Sequence, residues 1–339
     1  MLQKLADRAI LTSPQPLVRS RLSREIGSAS DRASLVRVRR GVYADAAGYR
    51  RLPGWQRYAV RVHAFAAQHP DAALALEAAA VIHGLPWFGE AAMIHVHDPD
   101  RTHSGRFGDV VVHTSEAHRS LVRVGGLLVT SMLDTVVDLV RVLPHAQALA
   151  VLDSALSSAQ GGPLRLAEIR ECASARPGTR GTRRERWAWE RADPRSESPA
   201  ESISRTVIEW WGFEAPDLQR TFRYEGVEDR VDFFFASRGV IGEVDGWGKY
   251  RFEDPERAAE LLRAEKRRED RLRRHRHPFA RWELGDAWRA DPLRMALSAA
   301  GVPRIRPAEI MMLGTLQDRR RQLIPRPHVA RARETPRFA

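Results

Sequence analysis

Apolar positions along the chain switch repeatedly between a helical rhythm and a two-residue rhythm. Residues 17–26 have the spacing of a short basic helix. After the turn-rich stretch that follows, residues 35–43 (LVRVRRGVY) alternate apolar with cationic side chains, which predicts a helix followed by a β-wing. Helical spacing returns over 55–68 and 72–82, and His83-Gly84-Leu85-Pro86 supplies a stop. Short strands are expected at 93–97, 109–113 and 126–129. Helices are expected at 131–142 and 144–158, the first capped by Thr130 or Ser131.

A break at 176–182 (RPGTRGT) interrupts the helical pattern. Beyond it the pattern predicts a helix over 199–212 bearing Glu201 and strands at 220–224, 230–236 and 240–245. After Gly301 the chain is basic and proline-punctuated, with too little apolar content for a core of its own. The expected fold class is therefore α/β (α+β) and multidomain. It comprises a short winged-helix-like element over 1–50, an α/β domain over 51–175, a second domain over 183–300 and a mobile basic tail over 301–339.

Charge changes the picture next. Lys plus Arg number 55 against 43 Asp plus Glu, a net charge of +12, which favours polyanionic partners and nucleic acid first among them. Arg37, Arg39 and Arg40 on the wing would lie along a phosphate backbone. The single cysteine, Cys172, excludes a disulfide framework and a cysteine-cluster zinc site. No stretch is apolar for the ~18 residues of a spanning helix. A cytoplasmic protein with no membrane partner is expected.

The candidate chemistry lies in the C-terminal half. Asp232 (in RVDFFF) and Glu243 with Asp245 (in VIGEVDG) are carboxylates inside otherwise apolar runs. Glu243 and Asp245 share a strand face. A two- or four-residue turn near 237–238 sets Asp232 opposite Glu243, whereas a three-residue turn sets it opposite Val244 on the other face. Converging carboxylates would call for a hard divalent cation, Mg²⁺ or Mn²⁺. His95 and His97 have the same-face spacing of a strand metal pair, with His103 and His113 nearby, but no acid is fixed relative to them.

Two resemblances follow from these residues. SLVRVRRGVYAD, EAAAVIHGLPWFG and GGLLVTSMLDTVVDLVR with ALAVLDSAL, in that order over 17–158, resemble the AbiEi-type antitoxins of type IV toxin-antitoxin systems. That resemblance implies a winged helix-turn-helix on operator DNA, transcriptional autorepression, and a nucleotidyltransferase-like toxin as partner. The segment before Leu35 is short for a complete helix-turn-helix. Residues 184–300 resemble the PD-(D/E)XK restriction-endonuclease-like superfamily, and within it Vsr-like domains, the match extending to a helix at 261–270 and a strand at 279–282. The second resemblance implies an αβββαβ domain acting on double-stranded DNA, with Glu201, Asp232 and Glu243 as its carboxylates. The superfamily's lysine place holds Asp245, which leaves Lys249 and Lys266, two of only three lysines in the chain, as alternative catalytic lysines. An inactive nuclease fold on a DNA-binding regulator and a Mg²⁺-dependent endonuclease both satisfy this pattern.

Overall fold

The structure is a computed structural model that describes residues 4–19, 34–245 and 255–317. It is a multidomain α/β chain of several sheets and helices. Its described residues fall into an N-terminal unit, 4–143 with 161–189, and a C-terminal unit, 144–160 with 190–317.

In the N-terminal unit, Leu5–Arg8 (α1) precedes a three-stranded sheet of order β1-β3-β2, formed by Val18–Arg19 (β1), Leu35–Arg39 (β2) and Val42–Asp45 (β3). The wing is thus present as β2 and β3. Residues 18–19 are strand where a helix was expected, and 20–26 of that expected helix lie outside the described residues. Ala46–Arg51 (α2), Gly54–Gln68 (α3) and Leu76–His83 (α4) follow. Gly84, at φ 73°, closes α4 in the left-handed conformation that favours glycine. The first residues of the expected 72–82 helix instead form a strand, Ala73–Leu74 (β4), because short apolar runs fit either period.

A six-stranded mixed sheet runs β6-β7-β5-β4-β9-β8, adding Ile94–His97 (β5), Gly105–Phe107 (β6), Val110–His113 (β7), Leu121–Val124 (β8) and Leu127–Thr130 (β9). Tyr58 and Phe65 of α3 and Ile82 of α4 pack with Ile94, Val96, Val110 and Val129 to form its core. Met132–Val142 (α5) is capped by Ser131, which accepts the Asp134 N–H.

His145–Leu156 (α6) belongs to the C-terminal unit. This differs from the division expected from sequence, where it closed the preceding domain, because α6 packs on Pro199–Trp210 (α9). Between them in sequence lie Leu166–Ser174 (α7) and Thr182–Arg191 (α8). The remaining order is Asp217–Tyr224 (β10), Val227–Phe235 (β11), Val240–Asp245 (β12), Pro255–Arg274 (α10) and Phe279–Glu283 (β13). From α9 to β13 the succession is the expected αβββαβ, with sheet order β10-β11-β12-β13 and β12 parallel to β13.

Leu284–Arg289 (α11), Asp291–Ala299 (α12) and Ile310–Gly314 (α13) complete the unit. The expected mobile tail is corrected over 302–316: Val302, Leu313 and Leu316 are buried, and the carbonyls of Trp210 and Gly212 accept the N–H groups of Glu309 and Ile305. Any side chain at 212 would strike the Arg306 carbonyl, its Cβ falling 2.1 Å from that oxygen, so glycine is required there. Residues 318–339 lie outside the described residues.

Candidate carboxylate and arginine site

The hairpin turn between β11 and β12 decides the geometry. Phe235 pairs with Val240 and Phe233 with Gly242, so the turn has the four residues 236–239, and the same register carried one step further sets Asp232 opposite Glu243. Asp232 Oδ2 accepts the Val244 N–H at 3.2 Å.

Glu201 reaches the same region from the first turn of α9. Ser198 caps that helix with its hydroxyl on the Glu201 N–H, and Pro199 occupies its first turn. The carboxylate of Glu201 accepts from the Ser198 hydroxyl at 2.7 Å, the Glu197 N–H at 2.9 Å and the Gln219 amide at 2.9 Å. Burial, and then the nearby charge of Asp232, push its pKa well above the ordinary carboxylate range. Ser198-x-x-Glu201 reads as a capping signature, a structural role that the sequence displays beside the nuclease-like one.

Glu243 is 2% exposed and spanned by two guanidinium groups. Arg268 from α10 donates to Oε1 at 2.5 Å, and Arg281 from β13 donates to Oε2 at 2.8 Å. Arg281 also donates to Glu265 at 2.9 Å and lies 3.5 Å from Glu269. Burial lowers the Arg281 pKa, but the charges of Glu243, Glu265, Glu269 and Asp245 outweigh it and hold the group above its ordinary value. Asp245, half-buried at the end of β12, therefore shares the field of Arg281. One residue set thus interleaves carboxylates and arginines, charge against charge.

A cation shared by the carboxylates expected to hold Mg²⁺ or Mn²⁺ would have to displace contacts that they already make. The oxygens of Glu243 face arginines, Glu201 accepts from three donors, and Asp232 accepts a backbone N–H. Among the described residues no group of three or more His, Cys, Asp or Glu side chains is placed to hold a metal ion. Lys266 is exposed on α10, with no ion pair to Asp270 among the described residues. Lys249 lies outside them. Neither Arg268 nor Arg281 was legible as a partner of Glu243, because pairing across a helix and a parallel strand leaves no local spacing signal.

On the wing, Arg37 and Arg40 are exposed, as a phosphate contact requires. Arg39 is not available: it donates both to Asp109, at 2.6 and 2.7 Å, and to Gln68, and its guanidinium lies over the Phe65 ring. The expectation for Arg39 is thus corrected. Its side chain fastens the wing to α3 and to the residue before β7.

The histidines form a buried chain. His95 Nδ1 and His113 Nε2 are 2.8 Å apart, and His95 Nε2 lies 3.4 Å from Glu77. Glu77, on α4, is the acid that the strand spacing could not locate. Burial pushes Glu77 up to about 7, His95 down to about 4 and His113 down to about 3, which keeps both histidines neutral at neutral pH and leaves Glu77 close to its midpoint. The histidine values lie below the ordinary 6.5, so their contribution to stability is present above that pH and is lost as pH falls towards 4. Glu77 has the opposite sign, its contribution being lost as pH rises through about 7. The thermal midpoint of the N-terminal unit is expected to drop between pH 6.5 and 4, and His95→Gln with His113→Gln to flatten that drop. Unchanged acid sensitivity in circular-dichroism melts of the double variant would exclude this chain as its source.

No helix among the described residues is long and apolar enough to cross a membrane. No family model matches the chain. No solved structure matches it. Two proteins of Mycobacterium tuberculosis, the uncharacterized proteins MT2308 and Rv2248 from different strains, are each 32% identical to it over 195 residues, covering 53% of this chain and 70% of the relative. That identity and coverage place the chain in one family with these uncharacterized mycobacterial proteins.

Proposed function

We propose that this chain is a cytoplasmic DNA-associated transcriptional regulator of the antitoxin type, whose C-terminal unit holds double-stranded DNA without cutting it. The observation that carries the reading is the arginine pair on Glu243. A buried carboxylate with both oxygens on guanidinium groups is already neutralised, and a cation would have to displace two charge-assisted hydrogen bonds to reach it. The net charge of +12 and the exposed Arg37 and Arg40 support a polyanionic partner. A nucleotidyltransferase-like toxin is the protein partner that the AbiEi-type resemblance implies.

A Mg²⁺-dependent endonuclease is the second reading. It is favoured by the four-residue turn that puts Asp232 opposite Glu243, with Glu201 within its electrostatic reach. One assay separates the two: supercoiled plasmid with Mg²⁺ or Mn²⁺, comparing wild type with Asp232→Ala and Glu243→Ala, alongside a salt titration of DNA binding. Salt-sensitive binding without nicking is expected. Metal-dependent nicking that disappears in both variants would establish the endonuclease instead.

A further inference from the structure

Resting on the reading of DNA association, we propose that the outward face of α10, continued by Arg276, is the surface along which the C-terminal unit lies on the phosphate backbone of duplex DNA.

Three observations converge on it. The first is an excess of exposed positive charge on one helix. On the sheet side, Arg268 and Arg271 are tied to Glu243 and Asp229, and Glu265 and Glu269 are drawn onto Arg281. On the other side, Arg263, Lys266 and Arg267 are exposed, and among the described residues none has an ion-pair partner. The exposed acids between 260 and 276 are Glu260 and Asp270. Here the exposed cations without an ion-pair partner among the described residues, Arg263, Lys266, Arg267 and Arg276, outnumber those two acids.

The second observation is conformational. The N–H of Arg276 bonds to the Arg273 carbonyl and that of His277 to the Leu272 carbonyl, the pair of bonds that closes a helix in a Schellman motif. Arg276 then occupies the left-handed position, at φ 66°, which glycine adopts without strain and a side chain does not. The motif holds an exposed arginine, with no ion-pair partner among the described residues, just beyond the helix end. Arg273 and Arg274 already complement the helix dipole there while paired to Glu269 and Glu225. A further cation in a strained position is better matched to an external anion.

The third is reach. From Arg263 to Arg274 the helix rises about 16 Å at ~1.5 Å per residue. That exceeds the ~12 Å width of the major groove, so cations at the two ends can meet phosphates on both of its edges.

The test measures binding of the full chain to a short mixed-sequence DNA duplex by fluorescence anisotropy across a salt series. It compares wild type with Arg263→Gln/Lys266→Gln/Arg267→Gln/Arg276→Gly, and with the wing variant Arg37→Gln/Arg40→Gln. Loss of four phosphate contacts is expected to reduce the slope of log K against log salt by about 3 to 4 and to weaken binding tenfold or more, on the order seen for phosphate contacts generally. Arg276→Gly alone is expected to keep or raise Tm while lowering the slope by about 0.9, so the test survives if the fourfold variant does not fold. An unchanged slope in both α10 variants, with wild-type binding intact, would overturn this surface and leave DNA association standing. No wild-type binding would remove DNA association itself. Tighter binding to an RNA duplex or to a single strand would overturn the choice of duplex DNA.

Discussion

Asp153→Ala is expected to cost the C-terminal unit about 3–5 kcal/mol, the range for removing one partner of a buried charge network. Asp153 of α6 is 0% exposed and carries the contacts between α6, α9 and the segment before α9. Its Oδ1 accepts the Asp193 N–H at 2.9 Å, and its Oδ2 accepts the Ser202 hydroxyl at 2.7 Å and Arg205 Nη2 at 2.6 Å. Ser202 also bonds Ser196, whose carbonyl accepts from Gln160, itself paired with Ser154. Removing the carboxylate leaves the largely buried Arg205 guanidinium without its counter-charge and the Asp193 N–H without its acceptor, and each loss adds its own penalty. Tm of the transition assigned to this unit should fall by about 10 °C. Asp153→Asn, which keeps an acceptor but not the charge, should fall between wild type and alanine. A loss below about 1 kcal/mol in urea denaturation would show that α6 is not held to α9 by this network.

The second large effect is expected at the arginine pair. Arg268→Ala with Arg281→Ala leaves Glu243 buried without a counter-charge, and the cost is again about 3–5 kcal/mol. The two side chains are 26% and 30% exposed, so each single variant should cost clearly less than the pair, because the remaining guanidinium and water share the load. Hydrogen exchange should quicken along α10, which Arg268 pins to the sheet through Glu243 and through the Arg230 carbonyl. Millimolar Mn²⁺ should leave the wild-type Tm unchanged. A dose-dependent rise in wild-type Tm would mean that the guanidinium groups yield to the cation, and the non-cutting reading would fall with it.

Much of the architecture was legible because it rests on local periodicity. The short apolar runs of RVDFFF and VIGEVDG and the helical spacing after Pro199 are properties of contiguous residues, and they returned the first helix and the three antiparallel strands of the C-terminal unit. The turn length between β11 and β12 was left open at two, three or four residues, since pattern alone does not count turn residues. Glu201 was singled out as a carboxylate, while its place as a capping residue, equally visible in Ser198-x-x-Glu201, was missed.

What the sequence by itself determined is the order of elements, the apolar seams and the positions of the acidic residues within them. Only the tertiary structure decided which charges neutralise one another. Arg268 meets Glu243 across 25 residues of chain and Arg281 across 38, and Arg39 finds Asp109 across 70. Asp153 likewise reaches Arg205 across 52 residues and draws α6 away from the domain it follows in sequence. Electrostatic pairing of this kind depends on distance in space and on exclusion of water, and neither quantity is written in the spacing of residues along a chain.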